Sequence, residues 1–170
     1  MGANMLKNRG MYIEELINKT ISYYEANNLC HIEKRNLPIK IISKKETKIE
    51  GHLNKKSFTD FFGIIDGKYV DFETKQTNGN NFSLNMIKDH QIKHIIRINN
   101  FGGISFIILH FFDLNKTYLL PSKLLENAYT KFSLYQSIPI EFFEKNAIEV
   151  ELIFPGILDL ISAIKKINVK

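Results

Sequence analysis

The spacing of apolar residues along the chain predicts a mixed α/β fold. Apolar residues recur every three or four positions over residues 10–27 and 82–99, which is the spacing of an amphipathic helix. Two more helices are predicted over residues 121–131 and 157–167. Short apolar runs at residues 30–34, 38–43, 58–65, 68–76, 103–112 and 116–120 predict strands. We expect a single α/β domain over residues 1–170, with a mixed central sheet flanked by helices.

A two-residue turn at Asp66-Gly67 is predicted to join two of these strands. Both turn positions need a positive φ, which Asp and Gly tolerate, so this dipeptide between apolar runs is a strong hairpin signal. The turn also sets the register of the two strands. Continued outward, that register places Asp60 opposite Glu73. Alternation of side chains puts Asp71 and Lys75 on the same face.

This face has the residues of a hydrolytic metal site. Two opposed carboxylates repel each other, and a divalent cation bound by Asp60 and Glu73 would relieve the repulsion. Hard oxygen ligands favour Mg²⁺. Lys75 could orient an attacking water or stabilise charge that develops on a phosphate. The alternative interpretation is an exposed hairpin in which Glu73 pairs with Lys75 and Asp60 bonds to loop amides.

Positive charge is concentrated in one segment of the chain. The formal net charge is +5, and residues 34–56 contain eight cations against two anions. Such a segment suits a polyanion, and nucleic acid is the one that we expect. A solvated loop whose lysines maintain solubility is the alternative. The segment itself is predicted to be an extended loop or a protruding hairpin.

Composition excludes several classes of protein. The chain has 170 residues, of which 44% are hydrophobic, so it is neither disordered nor fibrous. The single Cys30 cannot form an internal disulfide. No apolar stretch is long enough to span a bilayer, and no secretory signal is visible. We therefore expect a cytoplasmic protein with no membrane partner.

Several sequence blocks, in order, resemble the RecU-type Holliday junction resolvases. The central blocks are KSFTDFFG at residues 56–63 and GKYVDFETKQT at residues 67–77. Shorter matches are NRGMYIEELIN at residues 8–18, FSL at 82–84, HQIKH at 90–94 and GGISF at 102–106. The resemblance extends from residue 8 to about residue 120.

The polar residues 1–8 are themselves predicted to form a mobile arm. The resemblance implies a restriction-endonuclease-like nuclease fold with a protruding basic stalk at about residues 43–55. It also implies a bacterial, nucleoid-associated homodimer that resolves four-way DNA junctions by symmetric strand nicking in recombination and repair. The expected cofactor is Mg²⁺, with Mn²⁺ as a substitute. A recombinase or branch-migration protein is an expected further partner.

The resemblance also assigns roles to individual residues. Asp60 and Glu73 match the metal-binding carboxylates, Lys75 matches the catalytic lysine, and Thr59 matches the threonine beside the metal. Active-site support is expected from Glu14 and Asp71. Gln91 is placed by its position on a predicted helix, from which it could reach a phosphate or the active site; an amide at the edge of the core is the alternative. DNA contacts are expected from Arg9, Lys44, Lys45, Lys48, Lys55 and Lys56.

Two alternative functions remain open, and one type of metal site is not expected. The chain could be a nuclease of the same fold that acts on other DNA structures. It could also be a junction-binding scaffold with a degenerate nuclease site. His90 and His94 share one face of a predicted helix, but no third nitrogen or sulfur ligand accompanies them, so a zinc site is not expected.

Overall fold

The computed structural model of the chain describes residues 12–53 and 58–167. Its helices are α1 (Tyr12–Ala26), α2 (Asp89–Asn100), α3 (Ser122–Phe132), α4 (Ile140–Asn146) and α5 (Leu160–Ile167). Single 3₁₀ turns cover Leu84–Met86 and Phe112–Leu114. In the part of the chain that is described, no helix is long and apolar enough to cross a membrane.

In chain order the strands are β1 (His31–Lys34), β2 (Ile39–Lys45), β3 (Lys48–Leu53), β4 (Phe61–Ile65), β5 (Lys68–Thr77), β6 (Asn81–Ser83), β7 (Ile104–Phe111), β8 (Lys116–Pro121), β9 (Ser137–Pro139), β10 (Ile148–Glu149), β11 (Leu152–Ile153) and β12 (Ile157–Leu158). Six of them form the central sheet, in the order β1-β4-β5-β7-β8-β10. Only β5 and β7 are parallel in this sheet, so the sheet is mixed. Together with the flanking helices it confirms the predicted α/β class.

The predicted hairpin between β4 and β5 is confirmed together with its register. Asp66 has a φ of 49° and Gly67 a φ of 74°, as the two-residue turn requires. Ile65 pairs with Lys68, and the ladder continues to Phe61 opposite Phe72. Pairing stops there, so Asp60 lies one residue before the strand.

The two faces of the sheet belong to two different cores. On one face, Phe61, Phe72 and Phe106 stack with ring centroids about 5 Å apart, and α1 and α5 cover them. On the other face, Ile107 and Leu109 pack with residues of α2, α3 and α4. Asp71, Glu73 and Lys75 alternate with Phe72 along β5, so their side chains point to the α2 face.

The basic segment forms a two-stranded hairpin of its own, β2 paired with β3, which we call the stalk. The stalk begins at Ile39, earlier than residue 43, so the predicted strand at residues 38–43 is an arm of the stalk and not a strand of the central sheet. Lys44, Lys45 and Lys48 lie near its turn, and all three are exposed.

Other boundaries differ from the sequence prediction where distant segments pair. The helix predicted from residue 82 begins only at Asp89, because residues 81–83 form β6 and pair with β9. The last helix begins at Leu160, because Ile157–Leu158 pairs with β11. α4 and the short strands β9 to β12 were not predicted, since segments this short have weak periodicity.

Candidate active site

Glu73 is the buried carboxylate at the centre of the site. It lies in the middle of β5 and only 1% of its surface is exposed. Lys75 and Gln91 both donate to Oε1, the latter at 2.6 Å. Oε2 is buried and has no hydrogen-bond partner among the described residues. Within the described chain, one carboxylate oxygen of Glu73 therefore accepts two hydrogen bonds and the other accepts none.

The burial of Glu73 changes its acidity. Loss of solvent raises the pKa of this carboxyl from 4.5 to about 7. The Lys75 ammonium opposes the rise, and the negative charge of Asp60 adds to it. A bound cation would favour the ionised form, because it supplies an opposite charge in a site with little water.

Asp60 lies close to Glu73 but does not face it across the ladder as predicted. Its Oδ2 accepts from the backbone N–H of Thr74 at 2.9 Å and from the Thr74 hydroxyl at 2.8 Å. Its carbonyl oxygen accepts from the backbone N–H of Arg35 at 2.7 Å. The predicted direct pair of Asp60 with Glu73 is not formed, because the ladder ends at Phe61 and Phe72 and the Asp60 carboxylate accepts from Thr74.

Asp71 lies at the centre of a buried network beside these carboxylates. It is fully buried, and its Oδ2 is 2.8 Å from an Arg35 guanidinium nitrogen, 2.8 Å from the Tyr69 hydroxyl and 3.1 Å from Nε2 of His94. The Thr59 hydroxyl donates to the other oxygen, Oδ1. Both carboxylate oxygens of Asp71 therefore have protein partners. Thr59, next to Asp60 in the chain, is also buried.

Of the remaining predicted residues, Glu14 pairs with a lysine outside this network, and the others lie in the stalk or outside the described residues. Glu14 projects from α1, which covers the opposite face of the sheet, and pairs with Lys34 at 2.5 Å. Arg9, Lys55 and Lys56 lie outside the described residues, as does the predicted arm at residues 1–8. Roles for these residues stay predictions.

Sequence reasoning missed three partners of Asp71. Arg35, Tyr69 and His94 each contact its carboxylate, but they come from the end of β1, from β5 and from α2. The only advance signal was that Tyr69 precedes Asp71 by two residues and so shares its face of the strand. The other two are brought in by tertiary packing.

The ligand set at this site is small. Within residues 12–53 and 58–167, no group of three or more His, Cys, Asp and Glu side chains is arranged to hold a metal ion. Mg²⁺ commonly binds to one or two carboxylates and completes its coordination with waters and substrate phosphates. Asp60 and the unpartnered oxygen of Glu73 fit that pattern, whereas a cation that needs an all-protein cage would not find one here.

Comparison with known proteins identifies the family. The model of the family RecU, "Recombination protein U", matches residues 8–166. The chain belongs to the RecU family. The match reaches well past residue 120, so the family pattern includes the C-terminal segment as well.

Two relatives align with this chain over nearly its whole length. The chain is 37% identical over 164 residues to "Holliday junction resolvase RecU" of Ureaplasma parvum serovar 3, covering 96% of each chain. It is 40% identical over 162 residues to the protein of the same name from Mycoplasmopsis pulmonis, covering 95% of this chain and 96% of that one. A crystal structure of the Holliday junction resolvase Hjc of Archaeoglobus fulgidus has a TM-score of 0.49 and 9% identity, covering 78% of this chain and 93% of that one.

Proposed function

We propose that this RecU family member is a Mg²⁺-dependent endonuclease that resolves four-way DNA junctions by symmetric strand nicking in recombination and repair. The observation that carries the proposal is the buried Glu73 carboxylate. Lys75 donates to one of its oxygens, the other has no partner among the described residues, and the Asp60 charge lies close by. Relatives named as Holliday junction resolvases, aligned over nearly their full length, support the same substrate.

Glu73 and Asp60 are the residues that would hold the cation. When bound, Mg²⁺ lowers the pKa of a bound water and stabilises charge on a phosphate. The cost of burying the ionised Glu73 would then be offset by the opposite charge of the ion. Mn²⁺ has similar ligand preferences and is expected to substitute.

Lys75 acts on the phosphate side of the site. Its ammonium already donates to Glu73, and its side chain is 20% exposed, so solvent and a phosphate can reach it. From this position it can hold the attacking water or donate to a phosphate oxygen as negative charge builds up. Gln91 holds the shared oxygen of Glu73 and so sets the direction of its other oxygen.

The stalk is proposed to supply affinity for the junction. Lys44, Lys45 and Lys48 are exposed near its tip, where no described acidic residue pairs with them. Contacts of this kind are to phosphates and give affinity without base specificity. A homodimer would present two sites to two symmetric strands, and a recombinase or branch-migration protein is the further partner that we expect.

Nicking of a labelled four-way junction tests the proposal. The junction is incubated with and without Mg²⁺, beside a linear duplex with the same arm sequence, and each strand is labelled in turn. We expect Mg²⁺-dependent nicks at symmetric positions in two opposing strands of the junction and none in the duplex. Glu73→Gln should bind the junction without nicking it, whereas the exposed control Glu126→Gln should behave like the wild type.

Two other outcomes would favour the alternatives. Cleavage of both substrates would support a nuclease of the same fold that acts on other DNA structures. Binding of the junction by the wild type without cleavage in either Mg²⁺ or Mn²⁺ would support a scaffold and overturn the proposed function.

A further inference from the structure

A buried network connects the two segments that support the proposed metal ligands. Its centre is Asp71, which is fully buried and which the proposed chemistry does not use directly. One side of the network leads to Asp60 and the other to Glu73, through different partners of the same carboxylate.

The first side of the network holds the residues before β4. Thr59 donates to Oδ1 of Asp71 and is the chain neighbour of Asp60. Arg35 binds Oδ2 at 2.8 Å through its guanidinium, while its backbone N–H donates to the carbonyl oxygen of Asp60 at 2.7 Å. The Arg35 guanidinium also lies 4.4 Å from the ring centroid of Phe62. Asp60 is thus fixed through its chain neighbour Thr59 and through its carbonyl oxygen, and both contacts lead to residues bound to Asp71.

The second side of the network holds α2. His94 Nε2 is 3.1 Å from Oδ2 of Asp71, and its ring stacks on Phe58 with centroids 4.7 Å apart. Gln91 lies one turn earlier on the same helix and donates to Glu73 at 2.6 Å. A shift of α2 at His94 would therefore move the amide that orients Glu73.

We propose that Asp71 is a positioning residue that holds Asp60 and Glu73 in their metal-binding arrangement, and that His94 is its connection to α2. The inference rests on the proposed function, since it assigns a role within that site. Asp71 does not serve as a ligand itself, because both of its oxygens already bind protein donors. Partners that orient the ligands of a metal typically change metal affinity or activity by 10- to 100-fold when they are removed.

Tyr69 provides a matched control for His94. Its hydroxyl donates to the same oxygen of Asp71 at 2.8 Å, but Tyr69 belongs to β5, the strand of Asp71, and so connects Asp71 to neither supporting segment. Tyr69→Phe and His94→Phe each remove one bond to Oδ2 and keep an aromatic ring. Loss of a bond alone should affect both variants equally, whereas loss of positioning should affect only His94→Phe.

The experiment measures metal binding as well as nicking. Mn²⁺ is titrated into metal-free full-length protein, and the free ion is followed by its electron paramagnetic resonance signal. We expect His94→Phe to raise the dissociation constant roughly 10- to 100-fold and to raise the Mg²⁺ concentration needed for half-maximal junction nicking. Tyr69→Phe should stay near the wild-type value. His94→Gln, whose Nε2 can replace that of histidine as a donor, should recover most of the lost affinity.

The results separate this inference from the proposed function. Equal dissociation constants for His94→Phe, Tyr69→Phe and the wild type, or an equal shift in both variants, would overturn the positioning role while leaving the nuclease proposal intact. A wild type that binds Mn²⁺ but does not nick junctions would overturn the proposed function, and the titration would still decide the positioning role. A wild type that binds no Mn²⁺ would overturn both.

Discussion

Replacing Glu73 with glutamine should remove nicking and should abolish a loss of stability that the metal-free wild type undergoes as the pH rises from acid to neutral. The wild-type carboxyl has a pKa of about 7 in the folded chain, against 4.5 when it is exposed. Between these values the folded state binds the proton that the unfolded state releases. The stabilisation by the protonated carboxyl is therefore complete below pH 4.5 and is lost as the pH rises through 7.

The magnitude follows from the two pKa values. At about 1.4 kcal/mol per pKa unit, a rise from 4.5 to about 7 corresponds to about 3 kcal/mol of unfolding free energy. Glutamine has nearly the same shape as glutamate but does not titrate. The variant therefore does not lose this unfolding free energy as the pH rises. The NH₂ of its amide would occupy the place of Oε2, which has no partner among the described residues, and this lowers the stability of the variant by a similar amount at every pH. The difference between variant and wild type should thus shift by about 3 kcal/mol in favour of the variant from pH 4.5 to pH 8.

Urea unfolding in the presence of EDTA measures this difference. The chain has no tryptophan, so far-ultraviolet circular dichroism is the suitable signal. The free energy of unfolding is determined for wild type, Glu73→Gln and the exposed control Glu126→Gln at several values between pH 4.5 and pH 8. When saturating Mg²⁺ replaces EDTA at pH 8, it should stabilise the wild type and the control but not Glu73→Gln.

Two results would refute this reasoning. If the wild type and Glu73→Gln lost or gained stability in parallel across the pH range, the Glu73 carboxyl would not be the buried group described here. If Glu73→Gln nicked junctions at the wild-type rate, its carboxylate would not be part of the site.

Three further predictions concern other parts of the molecule. Asp71→Ala should destabilise the fold by about 3–5 kcal/mol in urea unfolding, because it leaves the mostly buried Arg35 guanidinium without its partner. Alanine at the stalk lysines 44, 45 and 48 together should weaken junction binding and reduce the slope of log affinity against log salt by up to about three. The pKa of His110 is lowered by burial from 6.5, so wild-type stability relative to His110→Gln should fall as the pH drops below 6.5.

Each of these predictions has a control and a contradicting result. For Asp71→Ala the control is Tyr69→Phe, and equal stability losses in the two would contradict the ion-pair argument. For the stalk, alanine at the exposed lysines 123, 131 and 166 removes the same charge, and equal salt slopes in both triple variants would exclude a stalk contact. For His110, a difference from His110→Gln that is constant with pH would show that the buried ring does not titrate with a lowered pKa.

Much of the candidate site could be predicted because its determinants are local. The Asp66-Gly67 turn has the backbone conformation that its residues favour, and it sets the register of β4 and β5 without help from the rest of the chain. Alternation along β5 then placed Glu73 and Lys75 on one face. Both features depend on neighbours within a few residues, so the amino-acid sequence alone determined them.

The tertiary structure decided the hydrogen-bond partners and the burial of each carboxylate. Asp60 turns to Thr74 because pairing ends at Phe61, and the turn signal carried no information about that end of the ladder. Asp71 receives donors from residues 35, 59 and 94, and the buried Glu73 receives one from Gln91 of α2. Burial and charge at one point depend on segments far apart in the chain, so the raised pKa of Glu73 and the network around Asp71 exist only in the folded molecule.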